Sequence, residues 1–152
     1  MKYKSVFYFS RMELSTYHEP HLITFSKLGE SALGYISVAQ NNKLPFPVQR
    51  VFWTYYTPES IVRGRHAHYK TEQVLIAVNG RIIVTTESAT GLVKSFVLEN
   101  PWQGVYIPPN VWHTMQYSHA AVQMVMASTE YNEADYIRDH DVFKKVWGAK
   151  KV

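Results

Sequence analysis

The chain has 152 residues, 46% of them hydrophobic, and a formal net charge of +4. That length fits one domain, residues 1–152, with enough apolar surface for a core of its own. The absence of cysteine excludes disulfide scaffolds, thiolate nucleophiles and sulfur-ligated metals, so site chemistry falls to nitrogen and oxygen.

Apart from Lys144, Lys145, Lys150 and Lys151, the cations are spread along the chain, unlike the single basic stripe of a nucleic-acid binder. No segment approaches the roughly 20 apolar residues of a bilayer span, and the first residues lack the apolar run of a secretory signal. The expectation is a cytoplasmic protein with no nucleic-acid and no membrane partner.

In chain order, short runs rich in Val, Ile, Tyr, Phe and Thr predict strands at residues 5–9, 21–27, 33–38, 49–56, 71–78, 81–87, 94–98, 104–107, 112–117 and 121–128. Asn79-Gly80, between two apolar runs, predicts a tight two-residue hairpin. A second turn is expected at 89–91, and prolines and glycines punctuate the later segments. Only residues 133–147 show helical spacing, through Tyr136, Ile137, His140 and Phe143. The pattern predicts an all-β protein, a small antiparallel barrel or jelly roll closed by a short C-terminal helix.

Residues 63–80 read "RGRHAHYKTEQVLIAVNG". His66 and His68 stand two apart on an extended segment, so alternation sends both to one face, and Glu72 joins them on that face if the next strand continues it. His113 opens a later strand, which a sheet sandwich returns to the same interior. Two chemistries stay open for this set. Neutral imidazoles each offer one donor and one acceptor and titrate near neutral pH, which suits paired proton transfers. Three histidines and a carboxylate also form a ligand set for Fe, Mn, Ni or Zn.

The spacing H-x-H-x3-E, with P-x-N-x-x-H downstream, resembles the two cupin motifs. Three longer segments, "LPFPVQRVFWTYYTPESIVRGRHAHYKTEQVLIAVNG", "GVYIPPNVWHTM" and "ASTEYNEADYIRDHDVF", resemble the sugar 3,4-ketoisomerases that act on dTDP-4-keto-6-deoxyglucose. The similarity covers roughly residues 44 to 143, and the "RGRHAH" and "EADYIRD" stretches are more specific than the general cupin pattern.

The resemblance implies a homodimeric cupin that needs no cofactor or metal. It would move the carbonyl of a dTDP-linked 4-keto-6-deoxyhexose from C4 to C3, on the way to dTDP-3-amino sugars of surface polysaccharides such as O-antigen. For this reaction the chemistry of two neighbouring imidazoles favours His66 as base for the C3 proton and His68 as its partner at the oxygens, and the reverse order does not contradict the sequence. Arg50 and Arg63 match positions suited to the diphosphate, and Tyr55, Gln73 and Tyr106 to sugar, phosphate or base. His113 matches a position beside the sugar and favours a galacto-configured C4. Two alternatives use the same residues: a metal-dependent cupin enzyme with His66, His68, Glu72 and His113 as ligands, and a non-catalytic sugar-nucleotide-binding cupin.

Overall fold

The computed structural model describes residues 19–148, so the strand expected at 5–9 lies outside the described residues. The first strands are β1 (His21–Thr24), β2 (Ser26–Glu30), β3 (Gly34–Val38), β4 (Arg50–Thr54), β5 (Val62–His68) and β6 (Gln73–Asn79). After them come β7 (Ile82–Glu87), β8 (Val93–Leu98), β9 (Gln103–Ile107), β10 (Trp112–Tyr117), β11 (Val122–Ala127), β12 (Tyr136–Ile137) and the helix α1 (His140–Gly148).

Two five-stranded antiparallel sheets face each other, one in the order β1-β9-β6-β11-β4 and the other β12-β5-β10-β7-β8, while β2 and β3 pair as a separate hairpin. This is the antiparallel double-sheet architecture expected from the strand pattern. The space between the sheets is filled by alternate residues of facing strands, among them Leu75, Ala77, Ile82, Val84, Val105 and Val125. The intervening residues Val74, Ile76, Tyr106 and Met126 pack on the outer side of the first sheet against Phe25 and Phe46. Because β6 is covered on both faces, residues 74–77 form one unbroken apolar run instead of an alternating one.

Three expectations are corrected. Asn79-Gly80 does not join a hairpin, since β6 and β7 belong to different sheets. It forms a corner between sheets instead. Only Gly80 has a positive φ, +70°, whereas a type I′ hairpin needs two such residues. A Cβ on Gly80 would stand 2.7 Å from the Ala121 Cα, and the Asn79 amide donates to the Ala120 carbonyl at 2.7 Å, so the corner is shaped by packing on the 118–121 turn.

The second correction concerns residues 133–147, which are not one helix. A 3-10 turn at Glu133–Asp135 leads into β12, and α1 starts only at His140, where Asp139 caps it by accepting from the Val142 amide at 2.9 Å. The pairing of Tyr136 with His68 and of Ile137 with Ala67 supplies backbone partners that override the helical spacing. The third concerns β5, a full strand where the sequence predicts only an extended segment. By contrast, the turn expected at 89–91 is present and joins β7 and β8 as a hairpin, closed by the Ser88 amide donating to the Leu92 carbonyl at 2.9 Å with Gly91 at φ +82°.

Candidate active site

The site is built on a defect in β5. His66 lies opposite His113 and Arg63 opposite Met115, yet between these pairs the register shifts by one residue. Gly64 and Arg65 carry positive φ values of +85° and +57° and form the bulge. Residues directly opposite share a face, so Arg63 and His66, three apart, both turn inward, which strict alternation forbids. A Cβ on Gly64 would stand 2.7 Å from the His113 carbonyl oxygen, so glycine also sets how closely β10 approaches.

Inside the barrel the three imidazoles converge. The His66 ring lies 5.0 Å from that of His68 and 4.6 Å from that of His113, centre to centre. The ligand nitrogens of all three fall within 4.8 Å of one another. His68 and His113 are buried. Each ring is held differently. His113 Nδ1 donates to the Val111 carbonyl at 3.1 Å, which leaves Nε2 with its lone pair. His68 Nδ1 lies 3.2 Å from Asp135 Oδ2, and its Nε2 lies 3.3 Å from the amide nitrogen of Gln73. The buried His66 Nδ1 has no hydrogen-bond partner.

Burial disfavours the imidazolium form and pushes all three pKa values down. His68 falls to about 4 through burial and then the neighbouring charge of His66, with Asp135 pulling the other way. His113 is lowered well below the ordinary imidazole value by burial and then by both other histidines. For His66, burial outweighs the opposing pull of the Gly64 carbonyl. Near neutral pH the cluster is therefore a set of uncharged bases.

The wall over the rings comes from residues 131–138. The Tyr136 ring lies 4.3 Å from His68 and 5.1 Å from His66, and the Arg138 guanidinium sits 4.3 Å from the Tyr136 ring centre. Glu133 fixes Arg138 through bonds of 2.6 and 2.9 Å. Those bonds, and after them the Tyr131 hydroxyl, hold the Glu133 carboxyl at about 2. Sequence reasoning places Asp135 and Tyr136 only in a motif and a helix, and so misses their part in the site. The "EADYIRD" stretch is the available signal, and its sense emerges only once β12 pairs with β5.

The other predicted residues divide. Gln73 reaches the cluster. Arg50 points inward from β4, its guanidinium 5.1 Å from the Phe52 ring and 5.7 Å from the Tyr131 ring. Its Nε is buried without a partner, and its charge helps lower His68. Arg63 is exposed at the rim, close enough for its charge to oppose the rise of the buried Tyr117 hydroxyl, which burial pushes to about 12. Tyr55 lies beyond the end of β4, exposed against Tyr56.

Tyr106 and Glu72 are not brought to the histidines. Tyr106 is buried on the outer face of its sheet with Phe46, and its hydroxyl donates to Glu72 at 2.6 Å. The chain turns between β5 and β6 as it changes sheets, and Gln73 takes the inward position, so alternation turns Glu72 outward. The three histidines could hold a divalent ion, but the four-residue set with Glu72 does not assemble.

A double-sheet antiparallel barrel with a histidine cluster on its inner wall defines a cupin-class protein. The chain belongs to the family described as "FdtA: WxcM-like, C-terminal", which matches residues 18–148. It is 38% identical over 128 residues to the TDP-4-oxo-6-deoxy-alpha-D-glucose-3,4-oxoisomerase of Aneurinibacillus thermoaerophilus, covering 84% of this chain and 91% of that relative. Among solved structures it is similar to a 3,4-ketoisomerase from Helicobacter canadensis, with a TM-score of 0.81, 31% identity and coverage of 87% and 99% of the two chains. It is also similar to QdtA, a sugar 3,4-ketoisomerase from Thermoanaerobacterium thermosaccharolyticum solved with TDP, with a TM-score of 0.82, 30% identity and coverage of 88% and 97%.

Proposed function

We propose that this chain is a sugar-nucleotide 3,4-ketoisomerase that converts dTDP-4-keto-6-deoxyglucose to a dTDP-3-keto-6-deoxyhexose. The observation that carries the reading is the uncharged imidazole pair, His66 and His68, 5.0 Å apart in a barrel wall of a chain whose relatives are named for this reaction. The reaction needs a base for the C3 proton. The electrons of the C3–H bond form the C3–C4 double bond, and the C4 oxygen gains a proton, giving an enediol. In the second half C4 gains a proton while the C3 hydroxyl gives up its own and becomes the ketone.

Two imidazoles at this spacing divide the work. The geometry supports His68 as the carbon base through Nε2, because Asp135 offsets the charge of the imidazolium that forms. His66, with an unpartnered Nδ1, serves the oxygens. This reverses the order read from the sequence. Arg50, with its unpartnered Nε, and rim-exposed Arg63 serve the diphosphate. Buried His113, beside His66, faces the sugar and favours the galacto-configured C4 product.

The convergence of three imidazole nitrogens supports a second reading, a three-histidine metal site. Proton NMR of dTDP-4-keto-6-deoxyglucose in D2O with EDTA-treated protein separates the two. A 3-keto product carrying deuterium, with the C4 coupling of the galacto form, is expected. Turnover that appears only after metal is restored would assign the imidazoles as ligands, and binding without turnover would leave a sugar-nucleotide-binding cupin.

A homodimer completes the proposal. The β2–β3 hairpin exposes apolar side chains, including Leu33 at 85% and Ile36 at 67%, a surface suited to a second copy. Among the described residues no helix is long and apolar enough to cross a membrane, and a nucleotide-sugar substrate supports a cytoplasmic location.

A further inference from the structure

We propose that Asp135 is the positioning residue of His68, fixing it as the Nδ1–H tautomer with the Nε2 lone pair free for the substrate, and that β12 serves to deliver this carboxylate. The inference rests on the ketoisomerase reading for its kinetic test but not for its spectroscopic one.

The hydrogen bonds around Asp135 have one consistent solution. Its Oδ1 accepts from the Lys70 amide at 2.8 Å. Its Oδ2 accepts from the Thr71 amide at 3.1 Å and from the Thr71 hydroxyl. Every other neighbour is thus a donor, and His68 Nδ1, at 3.2 Å from Oδ2, joins them by carrying the proton. Nε2 is then a lone pair, and the amide nitrogen of Gln73 at 3.3 Å donates to it. In the opposite tautomer an N–H would face the Gln73 N–H and a lone pair would face the carboxylate. Asp135 and Gln73 therefore select the same form, and the substrate displaces the Gln73 amide to reach Nε2.

The backbone holds the same geometry. Tyr136 pairs with His68 across β12 and β5, the Tyr69 amide donates to the Asp135 carbonyl at 2.9 Å, and the Asn110 amide donates to the His68 carbonyl at 2.6 Å. Asn132 caps the preceding 3-10 turn by accepting from the Ala134 amide at 3.0 Å. A carboxylate on so constrained a turn can orient a ring within the narrow tolerance that proton transfer needs.

The informative variant is Asp135→Ala, which removes the acceptor from His68 Nδ1 and frees the ring to take the Nε2–H form, with the Gln73 amide turned to accept from it. Turnover should fall roughly 10²- to 10⁴-fold with KM and TDP affinity within about threefold. The 15N shifts of His68 should move from the Nδ1–H to the Nε2–H pattern. As a control for lost structure, Thr71→Val removes a neighbouring donor to Asp135 and should lower the thermal midpoint while leaving the tautomer unchanged. An Asp135→Ala protein with the wild-type tautomer, whether or not its turnover falls, would overturn the proposal. If the wild-type protein does not turn over dTDP-4-keto-6-deoxyglucose, the ketoisomerase reading fails, while the tautomer measurement still decides the role of Asp135.

Discussion

At the scale of single residues, burial favours the uncharged form of the histidine cluster, and this sets the response to acid. An unfolded chain binds a proton on each histidine near pH 6.5, whereas folded His68 does so only at about 4. Between these values the unfolded state holds more protons, so stability rises with pH across the window and is lost as pH falls through it. For His68 alone the loss is on the order of 3 kcal/mol, and His66 and His113 act in the same direction. Urea midpoints should drop between pH 7 and pH 5, and the slope should flatten in His68→Asn; equal pH dependence in the two proteins would contradict this. The same variant should reduce turnover by orders of magnitude yet still bind TDP. Arg50→Ala should act mainly on KM, and an unchanged apparent affinity would remove it from the diphosphate site.

At the scale of elements, the bulge in β5 decides which side chains meet. Gly64→Ala places a Cβ against the His113 carbonyl at a positive φ, so it should cost more than about 1 kcal/mol and lower turnover as well, since His113 must shift. A thermal midpoint and turnover both equal to wild type would show that the strand tolerates the added carbon. Strand existence is legible in the sequence because β-branched and aromatic runs stop at turn residues, and β10 at Trp112–Tyr117 matches its predicted span. The same logic brings His66, His68 and His113 to one interior. Partner choice is not legible. Asn79-Gly80 turns the chain whether or not the flanking strands pair, and Glu72 reads as inward only because the change of sheet between β5 and β6 leaves no mark on local alternation. Asp135 and Tyr136 sit in helical spacing, and only a long-range ladder with β5 gives them their place.

At the scale of the whole molecule, two sheets share one core between them, and one of its inner walls ends in the polar site. Leu75, buried between the sheets, should cost about 2–5 kcal/mol as Ala, with turnover retained in the folded fraction. The exposed β2–β3 hairpin predicts a dimer by sedimentation, weakened by Ile36→Glu, and a monomer at all concentrations would remove the second copy. Whether the imidazoles act as bases is decided by proton NMR of dTDP-4-keto-6-deoxyglucose incubated in D2O with EDTA-treated protein. Uncharged bases should yield a 3-keto product with solvent deuterium at the exchanging carbons, formed without added metal. Unchanged substrate at catalytic protein concentration, with turnover restored only by a divalent ion, would contradict this and make the three imidazoles ligands rather than bases.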